Sequence, residues 1–318
     1  MSKADPVAAR KALAGLEAYG DAPRLPPRSN RPAIARVAGA SLRDHGGSGP
    51  PVVLIPSLIN PPDVLDLDEE VSLAGALAGR GRQILLVDWG TASSRSNLSI
   101  AEHVDGLLLP LLDSLGEPAT IIGYCLGGTM AMAAARLTAV RGLVTLAAPW
   151  HFARYPVESR AALQQLWEQS SAAAEKLGAL PMEVMQAGFW ALDPERTVRK
   201  FAEFAAADPA SDAARRFVTL EDWANEGEAL PLPAAHELFD SFYRDDRPGR
   251  GEWTVAGTRI GEKPRVPALH LVAGEDRIVP PASTPDGNRC IIPSGHVGMI
   301  VGRARMQLHE ALADFLAS

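Results

Sequence analysis

Ile121-Ile122-Gly123-Tyr124-Cys125-Leu126-Gly127-Gly128 reads as a buried strand that turns sharply into a helix. It has the form glycine-x-nucleophile-x-glycine, followed by the small-residue string Thr129-Met130-Ala131-Met132-Ala133-Ala134. In such a turn the central side chain is thrust out above the sheet. The glycines two positions either side let strand and helix approach without a Cβ clash. The amino end of the helix then faces Cys125, with free N–H groups that favour negative charge on its sulfur. The amide of Leu126, one residue on, is placed to stabilise an oxyanion. A structural cysteine at a glycine-rich turn is the alternative, and the flanking apolar strand and Ala/Met helix argue against it.

Outward from this turn the chain alternates. Short apolar runs bounded by turn residues, at 52–55, 83–87, 119–123, 143–147, 268–273 and 289–292, predict buried parallel strands. Helical patterns lie at 69–78, 100–115, 128–137 and 304–316. Strands alternating with helices imply an α/β fold, a mostly parallel sheet covered on both faces. The expected organisation is a helix and Pro/Arg-rich linker over 1–36, and a core over 37–151 and 264–318. A mostly helical cap over 152–263 would lie across the carboxyl edge of the sheet, where α/β sheets bind ligands. The cap shows no strand pattern, and most of its aromatic residues read as core packing.

A sulfur nucleophile needs a base, and the base needs a third group to hold its tautomer. Asp276 follows the run 269–273 in a strand-end turn, and His296 follows the next run in Ser294-Gly295-His296-Val297-Gly298. The order nucleophile, acid, histidine is that of α/β hydrolases. Glu275 is the fallback acid. The other histidines, His45, His103, His151, His236, His270 and His309, lack this placement, although His151 and His236 could line a pocket. A second oxyanion donor should come from the loop after the first core strand, Pro56-Ser57-Leu58-Ile59-Asn60. The amide of Ile59 is the expected donor, with Leu58 as its neighbouring alternative.

Composition excludes other classes. The 318 residues are 47% hydrophobic and 22% charged, a globular mixture, and the net charge of -7 comes with no basic patch for nucleic acid. Cys125 and Cys290 cannot make a disulfide framework, and no Cys/His spacing suggests zinc. No phosphate-binding loop, dinucleotide fingerprint or acidic metal cluster is present, so no cofactor is expected. The start, Met1-Ser2-Lys3-Ala4-Asp5, has no secretory pattern, and the uncharged run 118–135 is broken by glycines. A soluble cytoplasmic protein is expected.

Several segments, in order, resemble the polyhydroxyalkanoate synthases, short form, within the α/β-hydrolase superfamily. Pro56-Ser57-Leu58-Ile59-Asn60 followed by Val64-Leu65-Asp66-Leu67 is similar to that family's P-x-x-I-N…I-L-D-L loop. Val87-Asp88-Trp89-Gly90 resembles its D-W-G turn, and Gly123-Tyr124-Cys125-Leu126-Gly127-Gly128 its cysteine box. Asp222-Trp223, Leu230-Pro231 and His236 match within the cap, and Glu275-Asp276 and Gly295-His296-Val297 close the series. Arg277 stands where the family usually has histidine, and no Asn-Pro-Pro follows His296. The long N-terminal region of larger members is not present, so the shorter type, which works with a separate subunit, is the closer comparison. Asp66 and Asp88 read as structural.

The resemblance implies an acyltransferase with 3-hydroxyacyl-CoA as substrate rather than cofactor, and a growing polyester as acceptor. His296 would deprotonate Cys125, Asp276 would orient His296, and a covalent thioester would pass its acyl group to a hydroxyl chain end. It also implies a second copy or a separate synthase subunit as partner, and a location at polyester granules. The same three residues would equally serve a thioesterase or polyester depolymerase. A catalytically weak paralogue acting as a granule-associated or regulatory binding protein is the non-enzymatic alternative.

Overall fold

The computed structural model describes residues 6–24, 31–192 and 194–317. The sequence reading of residues 1–5, and the middle of the expected linker, lie outside the described residues.

The core is an eight-stranded sheet: β1 (Ala33–Val37), β2 (Ala40–Asp44), β3 (Pro51–Ile55), β4 (Gln83–Asp88), β5 (Thr120–Tyr124), β6 (Gly142–Leu146), β7 (Ala268–Ala273) and β8 (Arg289–Ile292). Their order is β1-β2-β4-β3-β5-β6-β7-β8. β2 runs antiparallel to β1 and β4, and every pair beyond β4 is parallel. All the residues of β3, β5 and β6 are buried, as expected of central strands covered on both faces. Their carboxyl ends lie side by side, so Pro56, Cys125 and Ala147 emerge on one edge, and the turns after β7 and β8 deliver Asp276 and His296 to it.

Several local expectations shift. The expected linker ends earlier than 36, because Ala33–Val37 is already a strand. β1 is an edge strand with alternating exposure, and its short run Ala33-Ile34-Ala35 is cut by Arg36, so it blends into the Pro/Arg-rich stretch before it. The helix expected at 69–78 forms only over Leu73–Ala78, because the Ser72 side chain caps it by accepting from the Gly75 amide. The helix at 100–115 is interrupted by a π-type turn, Val104–Leu108, just before Pro110, whose nitrogen cannot donate.

Between β6 and β7 lies the helical region: Val157–Leu177, Met182–Leu192, Pro194–Phe204, Asp212–Asn225 and a π-type stretch Glu237–Arg244. It also holds two short ladders that the sequence did not predict, Ala179–Leu180 with Leu230–Pro231 and Thr254–Val255 with Thr258–Arg259. Phe152, Phe239, Phe242 and Trp253 are fully buried between these helices and the sheet, each contributing roughly 1.5–3 kcal/mol by leaving water. The N-terminal helix Pro6–Asp21 fastens the cap. Gly15 sits so close to Phe201 that a Cβ would come within 1.8 Å of its carbonyl oxygen. Tyr19 Oη donates to Asp222 Oδ1 at 2.5 Å, and Arg24 pairs with the same carboxylate. Among the described residues no helix is long and apolar enough to cross a membrane.

Candidate active site

Cys125 sits between β5 and the helix Leu126–Leu137 with φ 55° and ψ -130°, a left-handed conformation that costs a non-glycine residue about 1–3 kcal/mol. Its neighbours explain how the strain is held. A Cβ on Gly123 would come within 2.4 Å of the Gly127 carbonyl oxygen, and one on Gly127 within 2.2 Å of the Ile55 carbonyl oxygen. The Cys125 amide donates to the Leu146 carbonyl at 2.9 Å, fixing the turn against β6. Gly127→Ala is therefore expected to lower stability by several kcal/mol, because the backbone at the end of β3, Ile55 and Pro56, would have to move. A urea titration beside Ala172→Gly, an exposed change inside the helix Val157–Leu177 worth only about 1 kcal/mol, checks this.

The acid and the histidine are both buried. Asp276 Oδ1 accepts the amides of Ile278 and Val279 at 2.8 and 2.9 Å, which leaves Oδ2 for His296 Nδ1 at 2.6 Å. Glu275, the fallback, is exposed. The Tyr124 ring packs on the His296 imidazole with centroids 5.0 Å apart. Burial by itself would push the imidazole pKa down. The negative charges of Asp276 and Cys125, with hydrogen bonds to both, overcome it and raise the value to about 10. His296 thus keeps its proton through neutral pH. The stability contributed by this proton is complete below the unfolded value of ~6.5 and is lost as pH rises through about 10. In Cys125→Ala, two of the raising influences vanish. The His296 midpoint, followed by imidazole NMR, is expected to fall from the wild-type value, and an unchanged midpoint would contradict the Cys125–His296 contact.

Cys125, Asp276 and His296 line one cavity of about 220 Å³, with Ile59 on the same wall. Leu126 is the first residue of its helix, so its amide has no intrahelical acceptor. The Ile59 amide makes only a long hydrogen bond, 3.4 Å, to Ser57 Oγ. The rest of the wall is largely apolar and comes from the cap: Phe189, Trp190, Leu220 and Trp223. Trp223 Nε1 donates to the Pro61 carbonyl at 2.8 Å, tying the cap to the loop that carries Ile59.

The remaining expectations sort out by position. Neither His151 nor His236 lines this cavity. His151 bonds Glu262 at 2.7 Å, and with Asp286 these form a cluster of ligand-type atoms within 4.8 Å, where Arg154 already pairs with Asp286. His236 faces outward between Glu175 and Asp240. Asp66 accepts from Ser72 and lies 2.7 Å from His45, and Asp88 pairs with Arg43, all away from Cys125. The sequence reading missed the Lys200–Glu221 ion pair, 2.6 Å, which contributes a polar spot to the apolar wall. Its only signal is a lone lysine on an amphipathic helix, which usually marks a solvated face.

A family model described as the alpha/beta hydrolase fold matches residues 33–302. The chain is 25% identical over 293 residues to the poly(3-hydroxyalkanoate) polymerase subunit PhaC of Haloferax mediterranei, covering 84% of this chain and 58% of that protein. The protein of the same name from Haloarcula marismortui is 27% identical, with 84% and 60% covered, and that from Allochromatium vinosum 24%, with 84% and 80%. The chain therefore spans about 60% of the length of the first two of these relatives. Among solved structures, a hydrolase from Pseudomonas aeruginosa PA01 superposes with a TM-score of 0.59 at 19% identity, covering 92% of this chain and 100% of that one. Rv0554 from Mycobacterium tuberculosis gives 0.51 at 16%, covering 87% and 93%. These structures share the fold. With the family model spanning most of the chain and the strand order in place, the chain belongs to the α/β-hydrolase fold family.

Proposed function

We propose that this chain is a polyhydroxyalkanoate synthase-like acyltransferase, in which Cys125 forms a thioester with a 3-hydroxyacyl group from CoA and passes it to a hydroxyl chain end. The observation that carries this reading is the buried Asp276–His296 hydrogen bond, which opens onto the same apolar cavity as the elbow cysteine. The similarity to polymerase subunits supports the substrate class.

The Cys125 thiolate, beside protonated His296, attacks the thioester carbonyl. The developing oxyanion is met by the amides of Leu126 and Ile59. The C–S bond to CoA breaks, and CoA sulfur takes the proton from His296 Nε2. One thioester has replaced another, so acyl-Cys125 keeps its reactivity. His296, now neutral and oriented by Asp276, accepts the proton of an incoming hydroxyl. The alcohol oxygen attacks, an ester forms, and Cys125 leaves as thiolate. No metal or redox cofactor takes part in these steps. The Phe/Trp cover limits water as a competing acceptor. The reading also places the protein in the cytoplasm at polyester granules, with a second copy or a separate synthase subunit as partner.

Purified protein given 3-hydroxybutyryl-CoA should release CoA and yield insoluble polyester without matching free acid. Stoichiometric 3-hydroxybutyrate would assign the same site to a thioesterase and end the synthase reading.

A further inference from the structure

The loop carrying Ile59 separates two cavities. The second, of about 670 Å³, lies on the far face of the loop and is lined by Leu58, Trp89 and Arg95. Ile59 and Ser57 border both cavities, whereas Leu58 borders only the second.

Arg95 ends a short 3-10 turn, Ala92–Arg95, and is only 3% exposed. Among the described residues no carboxylate forms an ion pair with it. Asp88 is engaged by Arg43 and by the Gly90 amide, and Glu228 accepts from the Ala92 amide. Its guanidinium is held by neutral acceptors instead. Nη1 lies 3.3 Å from His103 Nε2, and Nη2 donates to the Leu58 carbonyl at 3.3 Å. His103 Nδ1 lies 2.7 Å from the Ser99 carbonyl, so that nitrogen carries the hydrogen and Nε2 is free to accept. Burial keeps His103 neutral, its pKa lowered to about 4, and lowers that of Arg95 to about 10, which still leaves the guanidinium charged at neutral pH. Trp89, edge-on to His103 at 6.0 Å, donates to the Pro56 carbonyl at 3.2 Å. Two buried donors thus clamp two carbonyls of the loop, those of Pro56 and Leu58.

The Leu58 carbonyl and the Ile59 N–H belong to the same peptide unit. In a planar trans peptide they point in opposite directions, so a grip on the oxygen fixes where the N–H is aimed. That direction is away from Arg95, where the N–H meets only Ser57 Oγ at 3.4 Å, and both Ser57 and Ile59 border the cavity of Cys125. A cation on the oxygen also polarises the amide and makes its N–H a stronger donor. We propose that Arg95 is a positioning residue for oxyanion stabilisation: by gripping the Leu58 carbonyl it aims and polarises the Ile59 amide toward the acyl carbonyl oxygen. The inference rests on the role given to Ile59 above, not on which acyl donor is used.

Two reactions of Cys125 separate this role from a merely structural one. Acylation by p-nitrophenyl acetate passes through an oxyanion, whereas alkylation by iodoacetamide needs the thiolate but forms none. In Arg95→Met the acylation rate is expected to fall about 10- to 100-fold while alkylation stays within about 2-fold. Arg95→Lys keeps the charge but cannot bridge His103 and Leu58 together, so it should show a smaller selective loss; it carries the test if the Met variant does not fold. Equal losses in both reactions, or unchanged acylation, overturn the proposal, and so does a wild-type chain that p-nitrophenyl acetate does not acylate. A selective loss in a chain that ignores 3-hydroxybutyryl-CoA would leave Arg95 in this role and remove only the proposed acyl donor.

Discussion

Cys125→Ala is expected to release CoA from 3-hydroxybutyryl-CoA on the order of 10⁶ more slowly in kcat, leaving only the residual rate that binding and the oxyanion donors support. Removing the nucleophile abolishes the covalent route, and the oxyanion donors and cavity left behind can only hold the thioester for attack by water. The size of the loss identifies the route, because a general-base mechanism on the same histidine would survive the substitution. Cys125→Ser sharpens the point. Serine fits the elbow, but its hydroxyl must be deprotonated by His296 during attack, whereas the cysteine stands beside an imidazolium already formed. An oxyester on serine is also less reactive than a thioester, so deacylation slows more than acylation. Mass spectrometry of Cys125→Ser after incubation should find the acyl adduct accumulated, while the wild-type adduct turns over. An alanine variant with undiminished CoA release would remove Cys125 from the reaction.

What the sequence disclosed and what it hid divide along a physical line. The elbow was legible because its glycine spacing is set partly within the turn itself, Gly123 against Gly127, even though Gly127 also needs its close approach to the distant end of β3. Asp276 and His296 were legible because each follows a strand by a few residues, and parallel neighbours must end on the same edge. Only β7, before Asp276, is buried; β8, before His296, is a half-exposed edge strand and not the buried one its apolar residues suggested. β1 was hidden because its five residues, Ala33-Ile34-Ala35-Arg36-Val37, are interrupted by Arg36 and continue a Pro/Arg-rich stretch, and neither face of this edge strand is fully buried. Arg95 was hidden more deeply. It lies in the polar string Thr91-Ala92-Ser93-Ser94-Arg95-Ser96, which reads as a surface loop, and only the fold brings His103 and the Leu58 carbonyl around it. The cap followed the same rule. Its aromatic residues announced burial, but which of them would line the cavity depended on helix packing that no local pattern encodes. Trp167 stacks on Phe239 in the interior, while Phe189 and Trp190 border the cavity.

Asp276→Asn should reduce acyl transfer by about 10⁴-fold in a chain that still folds, and the reason lies in how the carboxylate is already occupied. Oδ1 accepts two backbone amides, from Ile278 and Val279. An asparagine at 276 must keep its carbonyl oxygen there, since turning the NH₂ toward two N–H donors would leave all of them unsatisfied in a buried site. Its NH₂ therefore faces His296 Nδ1, the atom that now donates to Oδ2 at 2.6 Å. A donor facing Nδ1 forces the imidazole into the tautomer with hydrogen on Nε2. That nitrogen can no longer accept a proton from Cys125 or from an incoming hydroxyl. The substitution also removes the nearest negative charge, so the imidazole loses its strongest upward influence and the midpoint falls from about 10. Iodoacetamide alkylation of Cys125, which tracks the thiolate–imidazolium pair, should therefore shift to higher pH; circular dichroism keeps its native shape, while the urea midpoint at neutral pH falls with the stability that the His296 proton contributed. Glu275, exposed and directed elsewhere, cannot take over, so Glu275→Gln is expected to stay within about 2-fold of wild type. An Asp276→Asn chain with near-normal turnover would show that His296 finds its tautomer without the carboxylate.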